Sequence, residues 1–169
     1  MEVVPIHYKV SEQVKRYYQI EDDAAQMMQM LDNRGFKGLF DTGYAISHAQ
    51  VSQNPFSFFV LDYRLVEKSM FEDRVIINPK ILKAPLYHEF REPVGRKVNF
   101  LECEEGCLSF PYRKPKRLNR YNRILVTYQV KGGFFGFKRI KRWLTGEASQ
   151  IFQHEYDHCQ GNNIFFTAK

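Results

Sequence analysis

Cysteine is scarce in this chain, with three in 169 residues at Cys103, Cys107 and Cys159. An odd number without framework spacing excludes a disulfide-stapled secreted scaffold and fits a reducing compartment. No long apolar run opens the chain, which excludes a signal peptide and a membrane span. A protein kept in the cytoplasm is the expectation, unless a presequence has been trimmed. Repeats, low-complexity tracts and linkers are also missing. One domain over residues 1–169 is therefore expected, long enough to bury a core without disulfide support. Acid is in short supply too. Nineteen Asp and Glu against 25 Lys and Arg leave a net charge of +6, which points to contact with something anionic.

Aromatic residues are plentiful, with fifteen Phe and ten Tyr, and this excludes a disordered chain. Glu21 to Leu31 is a run of helix formers with Asp22 and Asp23 at its start, and Asn33-Arg34-Gly35 ends it. Its methionines, Met27, Met28 and Met30, are expected to pack on a core. Phe56–Tyr63 and Arg74–Ile81 read as strands, whereas Tyr87–Phe100 is weakly patterned. Arg123–Val130 alternates, Lys131-Gly132-Gly133 turns, and Phe134–Leu144 returns, which predicts a hairpin. Several strands followed by one helix predict an α+β fold with mixed or antiparallel sheets packed around that last helix.

The last helix carries the chemistry. His154 and His158 are four residues apart, so a helix stacks both imidazoles on one face. Two such imidazoles can grip one divalent metal, and Glu155 can reach a water in the open position. This is the H-E-x-x-H pattern. Thr145 or Gly146 starts the helix and Gly161 ends it, with the stop stronger than the start.

A catalytic metal usually keeps three protein ligands. The eleven residues after His158 hold no His, Asp or Glu, and Cys159 points about 100° away around the helix. The third ligand is therefore expected upstream. Cys107 is the candidate, because Gly106 lets the backbone turn closely around it. The competing reading is an ordinary buried thiol, which suits Cys103 and Cys159 better. Gly43 permits a turn, after which an extended segment carries Gln50 inward, where its amide needs a partner. His48 reads as structural and is left out of the metal site.

Glu105-Gly106-Cys107-Leu108-Ser109 and Gln153-His154-Glu155-Tyr156-Asp157-His158 resemble two signatures of the peptide deformylases. Gly43-Tyr44-Ala45-Ile46-Ser47-His48-Ala49-Gln50 resembles a degraded first signature of that family, and Ile77-Asn78-Pro79 also fits. The resemblance covers roughly residues 20 to 165 and implies a peptide-deformylase-like catalytic domain. By motif position, Cys107, His154 and His158 would hold one divalent ion, natively Fe2+, replaceable by Ni2+, Co2+ or Zn2+. Glu155 would accept the proton of the attacking water. The Gln50 amide and the Leu108 N–H would face the formyl oxygen. Substrate contacts would come from Gly43, Tyr44, Ala45, Ile46, Gly106 and Arg113, and from a Met pocket built by Glu147, Gln150 and Ile151. The implied reaction removes the formyl group from formyl-methionyl nascent peptides and releases formate. The implied protein is a monomer without membrane contact, in the cytoplasm or in a host's cytoplasm if phage-encoded.

Ala45, Ser47, His48 and the polar Gln150 depart from the family pattern, and the chain stops soon after the metal helix, as a short form would. Arg113, Lys114, Lys116, Arg117, Arg120 and Arg123 lie in eleven residues without Asp or Glu, and Lys138, Arg139, Lys141 and Arg142 continue the theme. Ribosome contact through residues 113–142 and a solvated strand edge are both open readings. Three rival functions stand beside deformylation. An H-E-x-x-H metallopeptidase needs a further downstream ligand. An RNA-binding module with structural zinc needs a fourth protein ligand, from His48 or Cys103. A decayed deformylase would keep the metal site and lack activity.

Overall fold

The structure, a computed structural model, describes residues 9–33, 44–84, 100–133 and 136–166. Its elements in chain order begin with α1 (Glu21–Asp32) and β1 (Ala45–Ser47), which runs into a 3₁₀ turn at His48–Gln50. Then come β2 (Phe58–Leu61), α2 (Tyr63–Glu67), β3 (Val75–Lys83), β4 (Phe100–Glu105) and β5 (Lys116–Tyr121). The hairpin β6 (Arg123–Gly132) and β7 (Gly136–Thr145) leads directly into α3 (Gly146–Cys159). The strands form a five-stranded antiparallel sheet in the order β1-β2-β3-β6-β7, with β4 and β5 as a separate two-stranded ribbon.

Each face of the larger sheet is covered by one helix. Strand alternation sends Phe59, Leu61, Ile76, Ile124, Val126 and Tyr128 to one side, where Ala148, Ile151 and Phe152 of α3 pack against them. Phe58, Val60, Val75 and Ile77 point the other way and meet Ala24, Met27 and Leu31 of α1. The apolar residues of α1 fall at helical spacing, so the methionine cluster is core: Met27 is fully buried, and Met28 and Met30 flank it.

The expected elements hold with shifted ends. The strand expected over 56–63 is shorter, because Asp62 accepts a hydrogen bond from the Arg64 N–H and caps α2. The strand expected over 74–81 runs to Lys83 through a bulge at Asn78-Pro79. Asn78 takes φ +49, and its side chain bonds Val14 and Gln129, which holds the bulge. The reading gave no strand to residues 100–105 or 116–121. These pair in register from Phe100↔Tyr121 to Glu105↔Lys116, so part of the basic stretch is a strand. Their signal was weak because both strands are polar on exposed positions and only Glu105 is fully buried. Arg34, Gly35, Gly43, residues 87–99 and Phe134 lie outside the described residues.

Candidate metal centre

The start of α3 is fixed by backbone. Gly146 adopts φ +57, which a glycine accepts without strain, and its N–H donates to the Asn122 carbonyl at 2.9 Å. Thr145 gives no side-chain cap, in keeping with the weak start read from sequence. Gln153 then fastens the middle of the helix to β5. Its amide donates to the Tyr121 carbonyl at 2.9 Å, and its carbonyl accepts the Tyr121 N–H at 3.1 Å. At the far end Gly161, at φ +74, turns the chain away.

This framework sets His154 and His158 side by side, with ring centroids 5.0 Å apart. The loop after β4 brings Cys107 beneath them, with its Sγ 3.3 Å from His158 Nε2. One potential ligand atom from each of Cys107, His154 and His158 lies within 4.8 Å of the other two. Among the described residues no other group of three such side chains converges.

Glu105 orients this set. Its carboxylate is buried and accepts two hydrogen bonds from Arg120, each at 2.8 Å. Burial works against that charge, but Arg120 and His154 outweigh it and hold the carboxyl at about 2. An ionised carboxylate only accepts, so His154 Nδ1 carries the proton across their 2.8 Å contact. Nε2 is then the His154 nitrogen that can offer a lone pair to a metal, once the ring gives up its second proton. Arg120 also bonds Asp157 at 2.7 Å, tying β5 to the metal-facing helix.

The charges suit a cation. Burial disfavours a charge on His154, yet hydrogen bonds to Cys107 and Glu105 overcome it and push the ring up to about 10. His158 is held well below the ordinary imidazole range by burial and by its neighbour His154, so it is a neutral donor. The centre thus favours a cation beside His154 and offers a sulfur and a neutral imidazole next to it. A mixed S/N donor set of this kind fits iron, nickel, cobalt or zinc. Glu155 adds a buried carboxylate whose Oε2 has no hydrogen-bond partner. Burial raises its carboxyl to about 7.

A cavity of about 320 Å³ opens over the centre. Cys107, His154 and Glu155 line it, as do Gln50, Leu108, Tyr44, Ala45, Gly106, Gln150 and Ile151. Gln50 is buried, its carbonyl fixed by the Ser47 N–H at 2.8 Å. Its amide therefore faces Ser109 Oγ at 3.1 Å and Cys107 Sγ at 3.8 Å. The Leu108 N–H has no partner among the described residues.

Other expected contacts fall elsewhere. Ile46 alternates away from Ala45 and packs against α1, outside the cavity. Arg113 is also outside it. Its guanidinium sits over the rings of Phe110, Phe165 and Phe166 at 5.0 to 5.2 Å. Glu147 lies in the first turn of α3 and does not reach the cavity. Gly43 lies outside the described residues. His48 takes no part in the metal centre, as expected. Cys103 is bonded toward Glu105 and Leu118 on β4–β5, and Cys159 is buried against Ser47.

The sequence reading assigned no role to Glu105 or Asp157, and counted Arg120 in the basic stretch. Glu105 sits two residues before Cys107, but its partners are 15 and 49 residues away, on β5 and α3, and only the packing of those elements joins them.

The match to known proteins agrees with this geometry. The family model for polypeptide deformylase matches residues 2–169. The chain is 33% identical over 111 residues to the peptide deformylase of Karelsulcia muelleri, covering 63% of this chain and 49% of that one. It is 32% identical over 123 residues to peptide deformylase 2 of Shewanella oneidensis, covering 70% and 58%. The chain thus spans about half the length of the curated relatives it matches. The crystal structure of peptide deformylase from Thermotoga maritima superposes with a TM-score of 0.69 at 24% identity, over 100% of this chain and 99% of that one, and shares the fold. With a family match over nearly its whole length and the Cys–His–His cluster in place, the chain belongs to the polypeptide deformylase family.

Proposed function

We propose that this protein hydrolyses the N-terminal formyl group of formyl-methionyl peptides, releasing formate. The observation that carries this reading is the convergence of Cys107, His154 and His158 beside the Glu155 carboxylate, whose Oε2 has no partner. These three residues would hold one divalent ion, natively ferrous, with nickel, cobalt or zinc as substitutes. Such an ion supplies a water acidic enough to attack at neutral pH and polarises the formyl carbonyl.

The chain's own groups do the rest. The Glu155 carboxylate accepts the proton of the attacking water and returns it to the leaving amine. The Gln50 amide and the Leu108 N–H donate to the oxygen on which negative charge develops. Glu105, clamped by Arg120, keeps the His154 ring in one tautomer and one orientation. Tyr44, Ala45, Gln150 and Ile151 line the same cavity and receive the first residue of the peptide.

The rivals lack support. No downstream ligand for a metallopeptidase is present among the described residues. His48 and Cys103, the fourth ligands a structural zinc would need, are engaged elsewhere.

A second contact, with the ribosome, rests on exposed basic residues. Arg120 and Arg142 are engaged with acids, Arg117 with Glu104, and Arg113 and Arg123 with aromatic rings. Lys114, Lys138, Arg139 and Lys141 stay exposed, with no ion pair to a described residue, and the contact would run through these four.

Protein purified without oxygen and loaded with iron or nickel should release formate from formyl-Met-Ala-Ser. Glu155→Ala should lose about 10²- to 10⁴-fold in rate while keeping its metal. Full activity in that variant would remove Glu155 from the mechanism, and a silent wild-type holoenzyme would sink the assignment.

A further inference from the structure

His48 is fully inside the protein yet outside the metal centre, and the chemistry above gives it nothing to do. It is 2% exposed and begins the 3₁₀ turn that ends at Gln50. Every polar atom of its ring is used. Nδ1 accepts the Phe56 N–H at 2.9 Å, so the proton sits on Nε2, which lies 3.3 Å from Asp23 Oδ2 on α1. The ring also packs on Phe58 of β2, with centroids 4.7 Å apart, and stacks on Phe56 at 6.2 Å. One side chain therefore joins α1, the segment before β2, β2 itself and the 3₁₀ turn.

The turn's other anchors are the Gln50 amide on Ser109 Oγ at 3.1 Å and the buried side chains of Ala49 and Val51, and none of them reaches the polar groups of α1. The turn follows a strand of three residues at the edge of the sheet, paired on one side only. Within the turn, the Val51 N–H donates to the His48 carbonyl at 3.1 Å, and the Gln50 carbonyl accepts the Ser47 N–H. Those bonds shape the turn but do not tie it to the body of the protein. The amide of Gln50 has to point into the cavity within tenths of an ångström to act on a developing oxyanion.

We propose that His48 is a positioning residue, pinning the Gln50 turn to α1 and to the segment before β2 so that the Gln50 amide is aimed at the reacting carbonyl oxygen. The proposal rests on the deformylase reading for its consequence in catalysis, and on geometry alone for the aim of Gln50.

The test uses His48→Ala, His48→Asn and Asp23→Ala in the metal-loaded protein, each also built on Gln50→Ala. Asn at position 48 can accept the Phe56 N–H through Oδ1 where Nδ1 now does. His48→Ala should keep its metal and lose about tenfold to a hundredfold in kcat with KM little changed, and His48→Asn should recover most of the loss. On Gln50→Ala, His48→Ala should cost nothing more, since the group it aims is gone. Equal losses in both backgrounds, or none in either, would overturn the proposal. A second readout needs no activity. The Gln50 side-chain amide resonances, assigned by their loss in Gln50→Ala, should keep their dispersed shifts in His48→Asn and collapse toward solvent values in His48→Ala. Unmoved resonances in His48→Ala would overturn the positioning role even if the protein hydrolysed no formyl peptide. Inactive wild-type protein with resonances that move as expected would sink the deformylase reading and leave the aiming role standing. Should His48→Ala not fold, Asp23→Ala decides: it removes the acceptor of the Nε2–H and should shift the same resonances.

Discussion

Glu105 and Arg120 show how much one buried pair decides. The carboxylate spans Arg120 and His154, and the arginine spans Glu105 and Asp157, so the four side chains form one charged chain behind the metal face. A partner of this kind is worth about 10- to 100-fold in metal affinity. Glu105→Gln should lower affinity for nickel or cobalt by that factor in a competition titration with a chelator, without loss of fold. Affinity equal to wild type would show that the His154 tautomer does not depend on the carboxylate. His48 offers a pH test at the same scale. Burial, opposed by Asp23, holds its pKa below the free value of 6.5, so the folded state refuses a proton that the unfolded state accepts. That contribution to stability is complete above pH 6.5 and is lost as pH falls below it. Thermal melts from pH 8 to pH 5.5 should show a steeper acid loss in wild type than in His48→Asn. Parallel curves would show that His48 is protonated at no cost.

At the scale of elements, α3 is the part on which the chemistry depends. Its apolar face, centred on Phe152, and the Gln153 bonds to Tyr121 are two of the devices that hold it. Phe152 is fully buried and meets Phe59 edge-on at 5.7 Å. Phe152→Ala should cost about 3–5 kcal/mol in chemical denaturation. Gln153→Leu should cost about 1–3 kcal/mol, because the Tyr121 N–H loses its acceptor and the Tyr121 carbonyl keeps only Ser149 Oγ. The two variants differ in a second respect: Gln153→Leu should loosen β5 and therefore Arg120, so metal affinity falls with stability. The hairpin, α1 and α3 were readable in sequence because each has a period that matches its geometry. The β4–β5 ribbon was not, since strands that bury little carry no alternation to read.

For the molecule as a whole, a metal that binds only the folded state must add to stability. Chelation should therefore lower the melting temperature, and Cys107→Ser should abolish the difference between metal-loaded and chelated protein. No helix among the described residues is long and apolar enough to cross a membrane. The exposed cations on β7 allow a test of the ribosome contact. Reversing Lys138, Arg139 and Lys141 to Glu should weaken binding to ribosomes. The slope of log affinity against log salt should also flatten, by about 0.7–0.9 for each phosphate that is no longer neutralised. Binding unchanged in both respects would return those residues to a solvated strand edge.

The candidate metal-binding set was legible in the sequence. Helical periodicity alone puts His154, Glu155 and His158 on neighbouring positions of one face, and motif order singles out Cys107 and Gln50. Local spacing is enough wherever the residues that cooperate lie within a turn or within one motif. Tertiary structure alone decided the rest: that Arg120 is a buried counter-charge and not part of a basic surface, that Arg113 rests on three phenylalanines away from the cavity, and that Ile46 faces α1. Each of these depends on strand register or on contacts between distant segments. A side chain's surroundings there are set by partners that no nearby residue announces.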